Sequence, residues 1–354
     1  MRDVHHVIIG VSWGTLPASL QIEWTQLSCD RILRGDVQPQ PQLRAPNAKP
    51  SQELAAFELD YNARLSDALK ERRVTPSRRI HRPEGSQQLV VAVCASTTSR
   101  GIHSIRQLEQ LTLFSIMLPS LVRTLADGAT RDVDAASGGT GLPFELWVYI
   151  AFDGGDVFYD NPRQEEVIRA WLNEKVVQPL AAKGLSAKHC LLKFDNVLRK
   201  PGPSFNFMMA SAAEDGADYL YRVNDDTQFV SPWLADAVRT LRGYSPPNVG
   251  VVGPTCHEGN TRILTHDLVH RTHLTIFEHY YPPVLSDWWM DDWITRVYSE
   301  SGRMRRGAFL VRHRVDIHGT RYQVDQSHEV ALIGELARGR RALDKYLEKS
   351  RHAA

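Results

Sequence analysis

Gln88-Leu89-Val90-Val91-Ala92-Val93-Cys94-Ala95 (QLVVAVCA) is apolar and rich in β-branched side chains, with no polar break after Gln88. A run without a polar face fits a strand buried on both sides, the habit of parallel sheets covered by helices on each face. The same texture recurs downstream, and predicts strands over 144–152, 188–194, 218–223, 249–252 and 308–312. Between them, apolar residues at helical spacing predict helices over 103–126, 164–177, 204–214 and 232–242. Strands alternating with helices of ten or more residues imply an α/β fold with a mostly parallel central sheet and helices on both faces. Ligands of such sheets bind beyond the carboxyl ends of the strands, so the residues just after each strand carry the functional information.

Upstream of residue 86 the texture changes. Pro39, Pro41, Pro46 and Pro50 mark a linker, and 51–73 has helical spacing. Arg72, Arg73, Arg78, Arg79 and Arg82 then read as a solvated basic hinge. The expected organisation is an N-terminal appendage (1–30), a Pro/Arg-rich linker with one helix (31–85), the α/β domain (86–335) and a basic C-terminal helix or tail (336–354).

Composition narrows the function. The 354 residues include 42 Lys and Arg against 41 Asp and Glu, a net charge of +1, too balanced for a protein that binds nucleic acid through excess cations. The longest uncharged apolar stretches are seven residues, whereas a membrane helix needs about 20, so no membrane span is expected. Cys29, Cys94, Cys190 and Cys256 show no C-x-x-C spacing, which fits either a reducing or an oxidising compartment: the cytoplasm, or the Golgi lumen if an anchor has been removed.

Five strand-end segments hold the candidate chemistry. Ser96-Thr97-Thr98-Ser99-Arg100-Gly101 offers four hydroxyls and a guanidinium to a base, ribose or phosphate, or simply caps a helix. It is neither a P-loop nor a Gly-x-Gly-x-x-Gly fingerprint. Asp153, before two glycines, is a turn residue or an acceptor for a nucleoside. In Asn224-Asp225-Asp226, strand alternation points Asn224 and Asp226 the same way, and two adjacent carboxylates at a buried strand end call for a cation. Asp287-Trp288-Trp289-Met290-Asp291-Asp292-Trp293 packs three of the eight tryptophans beside three acids. Indole faces stack on sugars and a carboxylate takes a proton from a hydroxyl; helix capping explains only one of the acids. His318, in a turn after the last strand, completes a metal site or serves structure alone. A rival cluster, His266, His270 and His273, has the spacing of one helix face and would suit zinc, but no His-Glu-x-x-His is present.

Together these strand ends resemble a nucleotide-sugar glycosyltransferase of the GT-A fold, a Rossmann-related architecture, over roughly residues 86–330. Asn224-Asp225-Asp226 is similar to the family's Asp-x-Asp motif, with Asn in its first place. The resemblance implies Mn²⁺ or Mg²⁺ held by Asp226, Asp225 and His318, and a nucleotide-diphosphate sugar donor contacted by Ser96, Thr97, Arg100, Asp153, Asn206, Asn224 and Asp225. The tryptophan run looks like the family's acidic motif at the acceptor site. That implies a glycan or glycoconjugate acceptor on Trp288 and Trp289, and Asp292 or, second, Asp291 as general base in an inverting transfer. A sugar nucleotidyltransferase and a carbohydrate-binding protein on a transferase fold are the competing readings.

Overall fold

The computed structural model describes residues 52–73, 79–86, 88–126, 144–319 and 321–352. All belong to one compact unit, Lys49–Ala354. The appendage, Cys29, the prolines of the linker and Arg78 lie outside the described residues.

Eight strands form one sheet: β1 (Leu89–Thr97), β2 (Phe144–Asp153), β3 (Ser186–Phe194), β4 (Tyr219–Asn224), β5 (Thr227–Phe229), β6 (Val251–Cys256), β7 (Asp267–His270) and β8 (Met304–His313), in the order β3-β2-β1-β4-β7-β6-β8-β5. The apolar runs behave as their patterning predicts. All ten residues of β2 are buried, and alternate residues of β1 enter different cores. Val91 and Val93 join one cluster with Leu146 and Val148, while Val90 and Ala92 join another with Trp147 and Tyr149. The sheet is thus buried on both faces.

It is also mixed, where a mostly parallel sheet was expected. β1 through β4 run parallel, but β7 lies antiparallel between β4 and β6, and β5 pairs antiparallel with β8 at the edge. Antiparallel insertions need no crossover helix, so these two short strands leave no alternating signature.

The larger helices are α1 (Gln52–Arg73), α2 (Pro162–Leu172), α3 (Pro201–Asp215), α4 (Leu234–Arg242), α5 (Trp289–Ser299) and α6 (His328–His352). The helix expected over 103–126 begins late. Ser104 adopts φ 58°, and helical structure opens as a 3₁₀ turn at Leu108–Gln110 and a π turn at Leu113–Met117. Helix α6 runs unbroken through 335/336, burying Leu332, Leu336, Leu343 and Leu347. Helix α1 docks through Tyr61 and Leu65. The arginines of its last turn and of the segment after it, expected as a solvated hinge, are engaged by protein acids: Arg72 and Arg79 with Asp215, Arg73 with Glu214, Arg82 with Asp218.

Candidate active site

The register of the central strands gathers the site. Ser96 on β1 sits between Ala151 of β2 and Asn224 of β4, so the ends of these three strands converge. Beyond them lies a cleft of about 490 Å³ lined by Ser96, Thr97, Arg100, Asp153, Asn224, Asp225, Asp226, Trp288, Trp289, Asp291 and Asp292. Eleven of the thirteen residues singled out from sequence therefore face one space.

The other two lie elsewhere. Asn206, on α3, is 2% exposed, and its amide is used within the fold. Its Nδ2 donates to the Tyr61 hydroxyl (2.8 Å) and the Tyr281 carbonyl (2.9 Å), and its Oδ1 accepts from Tyr281 N (2.8 Å). His318 ends a short helix, Val315–His318, outside the cleft lining, and its Nε2 has no hydrogen-bond partner among the described residues. The zinc alternative fails on secondary structure. Asp267–His270 is strand β7 and Thr272–Phe277 a separate helix, so the three histidines share no helix face. They bond instead to Thr227, Thr272 and Tyr298.

At the β1 end, Asp156 organises the hydroxyl loop. It accepts from Ser99 N (2.8 Å), Ser99 Oγ (2.5 Å) and Thr98 Oγ1 (2.9 Å). Burial pushes the Asp156 carboxyl up, but these bonds and that from Tyr159 N outweigh it, and the group lies below the usual carboxylate range. Asp153 receives Arg100 Nη2 and Asn196 Nδ2. Burial leaves its pKa raised even against those two partners.

Asp225 and Asp226 have different surroundings. Asp225 Oδ1 meets Arg321 Nη2 at 2.5 Å, and Oδ2 accepts from Thr97 Oγ1 at 2.8 Å. Its charge is already balanced by a guanidinium. Asp226 Oδ1 is buried without a hydrogen bond and stands 3.1 Å from His313 Nε2. His313 arrives through the β5–β8 register, which places it opposite Thr227, next to Asp226. Among the described residues no three His, Cys, Asp or Glu side chains converge as a metal-binding group, so Asp225, Asp226 and His318 do not form the implied set. The unbonded Asp226 oxygen is a hard donor of the kind Mg²⁺ takes alongside diphosphate oxygens and water, while the His313 Nε2 beside it also meets Asn224 Nδ2 at 3.0 Å.

The tryptophan and aspartate side of the cleft is built on the first turn of α5. No side chain caps this helix, which excludes capping as the role of either acid. Trp288 is 50% exposed. Trp289 Nε1 donates to the Asp325 carbonyl (3.3 Å), which holds that indole in place. Asp287 is wholly buried: it accepts from Lys200 Nζ and Asp325 N and pairs with His328 Nδ1 at 2.8 Å. It thereby ties the start of α5 to the starts of α3 and α6. Asp291 stands 2.8 Å from Arg222 Nη2, without the alignment of a hydrogen bond. Burial pushes its carboxyl up to about 7, against the pull of Arg222. Burial raises Asp292 as well, while Arg296 and Arg262 draw it down.

Arg222, His313, Arg321 and Asp156 escaped the sequence reading. Arg222 alone left a signal: two residues before Asn224, it lies on that residue's face of β4, which ends at Asn224, so that Asp225 and Asp226 belong to the turn beyond the strand rather than to its alternation.

No protein-family model matches the chain, and no curated protein does. Solved structures of S. aureus TarS are similar to it. The chain matches one TarS structure over 70% of its own length and 39% of TarS, at 12% identity and a TM-score of 0.41. For TarS 1–349 in complex with UDP, the coverages are 74% and 70%, at 13% identity and a TM-score of 0.40. For the complex with UDP-GlcNAc they are 74% and 71%, at 11% identity and a TM-score of 0.41. Among the described residues no helix is long and apolar enough to cross a membrane.

Proposed function

We propose that the cleft binds a nucleotide-diphosphate sugar and transfers its sugar to a hydroxyl of a glycan or glycoconjugate, with inversion. One observation carries this reading. A single cleft joins the hydroxyl loop and the Asp153–Arg100 pair, the Asn224-Asp225-Asp226 turn, and exposed indole beside two carboxylates. That is a place for a nucleoside, a place for a diphosphate, and a place for an acceptor sugar with a base at hand.

Asp291 is assigned as the base in preference to Asp292. A general base works best with a proton affinity near the operating pH, and a carboxyl at about 7 meets that condition. In the transfer, Asp291 takes the acceptor hydroxyl's proton as the oxygen bonds the anomeric carbon. The bond from that carbon to the diphosphate breaks on the opposite face, and the nucleoside diphosphate leaves with the electron pair. Arg321, paired with Asp225 inside the cleft, supplies positive charge to the leaving group. Mn²⁺ or Mg²⁺ held by Asp226 and His313 would neutralise charge on the departing diphosphate. Trp288 and Trp289 hold the acceptor ring.

The test is thermal unfolding with UDP, GDP, CDP and ADP, each with and without Mn²⁺. A ligand specific for the folded state adds about 2.7 kcal/mol of stability at a hundredfold excess over its dissociation constant. One diphosphate is expected to raise the midpoint in a metal-dependent way, with the metal-dependent part lost in Asp226→Ala. If no nucleotide raises the midpoint in either condition, the donor site is wrong and the cleft is better tested as a sugar-binding surface.

A further inference from the structure

We infer that Arg222 is a positioning residue that divides its charge between Asp291 in the cleft and Asp267 in the core, so that Asp267, which does not line the cleft, acts on the state of the base. The inference rests on the assignment of Asp291 above.

Arg222 lies on β4 and is 2% exposed. Its guanidinium carbon sits 4.7 Å from the Phe205 ring centre and 6.0 Å from that of Tyr281, so aromatic faces flank the cation. Nη1 donates to the Thr265 carbonyl, while Nη2 stands 2.8 Å from Asp291 Oδ1. Nε is buried without a hydrogen-bond partner. The guanidinium is therefore held firmly in place yet donates, among the described residues, one hydrogen bond, and its charge acts mainly through space.

Two carboxylates draw on it. Asp267, on the neighbouring strand β7, is wholly buried outside the cleft lining and accepts from the Tyr280 hydroxyl (2.5 Å) and the Tyr281 hydroxyl (2.6 Å). The register aligns Arg222 with Asp267 across the β4–β7 pair, which fixes the second acid beside the cation. The groups that act on Asp291 come from every side: Arg222 and His313 favour its ionised form, Asp267 and Asp292 oppose it, and the Tyr281 and Tyr322 hydroxyls lie within electrostatic reach. Two unit charges in a poorly solvated site couple by more than a pH unit, so altering either partner of Arg222 shifts the other. The signs are opposite. Weakening Arg222 makes Asp291 harder to ionise, and neutralising Asp267 makes it easier.

The experiment reads Asp291 without any substrate. Urea unfolding of the parent and of Asp291→Asn is measured from pH 4 to 9, and the difference in stability is followed. A carboxyl raised on folding costs the parent stability as pH rises from its unfolded value, and the cost levels off above the folded pKa. The levelling is expected just above pH 7. With Asp267→Asn in both members of the pair it is expected about one unit lower, and with Arg222→Lys, whose shorter ammonium sits farther from Asp291, about one unit higher. Asp267→Asn keeps the volume of the parent side chain, so it provides the readout if the Arg222 variant does not fold. Levelling at an unchanged pH in the Asp267→Asn background overturns the inference. Normal sugar transfer by Asp291→Asn overturns the assignment of the base instead, and leaves the Arg222 coupling to be read from stability alone.

Discussion

Replacing Asp215 with Asn tests whether helix α1 belongs to the α/β body or is merely appended to it. Asp215 closes α3 with its side chain fully buried, and four donors converge on it: Arg72 Nη2, Arg79 Nε (3.1 Å), Ile80 N (3.2 Å) and the Tyr149 hydroxyl (2.7 Å). The Arg72 side chain is 1% exposed, and its Nε and Nη1 have no hydrogen-bond partner, so Asp215 is the acid that offsets a fully buried cation. Breaking such a pair from one side costs about 3–5 kcal/mol, because the remaining charge stays desolvated. For a unit of this size each kcal/mol is worth roughly 2 °C, which gives a fall in midpoint of about 6–10 °C. Thermal unfolding measures it. The double variant Arg72→Met with Asp215→Asn removes the orphaned charge and should recover at least half of that loss, since apolar groups of similar volume commonly replace buried pairs at little cost. A loss below about 1 kcal/mol for Asp215→Asn would show that Arg72 finds water, and that α1 is held by its apolar face and its other polar contacts, such as Tyr61 with Asn206 and Arg73 with Glu214.

Three further outcomes follow from the site. Gly202→Ala puts a Cβ 2.8 Å from Ser286 Cα and 2.9 Å from its carbonyl oxygen, both backbone atoms; overpacking of about 1–3 kcal/mol is expected, with a raised acceptor KM as the start of α5 is displaced. Trp288→Ala removes a half-exposed ring, so stability should stay within about 0.5 kcal/mol while acceptor KM rises roughly tenfold and nucleotide binding is unchanged, which titration calorimetry checks. The pH profile of kcat/KM should fall about tenfold per unit below pH 7, because protonated Asp291 cannot accept the acceptor's proton; Asp292→Asn should leave that limb near pH 7, and a limb that vanishes in this variant would move the base to Asp292.

How far the site could be read from sequence depends on where its charges are balanced. β1 and β2 announce themselves because both faces are buried, and their ends fix where a ligand sits. β7 is hidden. Its four residues are framed by histidines at 266, 270 and 273, a spacing that imitates a helix, and burial against Tyr280, Tyr281 and Arg222 decides the strand instead. The acids of the cleft were legible as acids, but their counter-ions were not. Adjacent carboxylates at a strand end ask for positive charge, and local spacing offers a metal as the simplest source. The fold brings guanidiniums to two of the cleft's acids from far along the chain: Arg321 reaches Asp225 from 96 residues away, and Arg222, on β4, reaches Asp291 at the start of α5. Asp226 differs from both, since its nearest partner is a neutral-capable imidazole and one of its oxygens is left without a hydrogen bond. The three acids therefore respond differently to what binds. Asp225 and Asp291 have guanidinium partners of their own, whereas Asp226 keeps one oxygen without a hydrogen bond, the place where the proposed cation would bind. Any metal dependence should consequently be confined to Asp226 and His313, and removing Arg321 should weaken nucleotide binding by a similar factor with and without the ion.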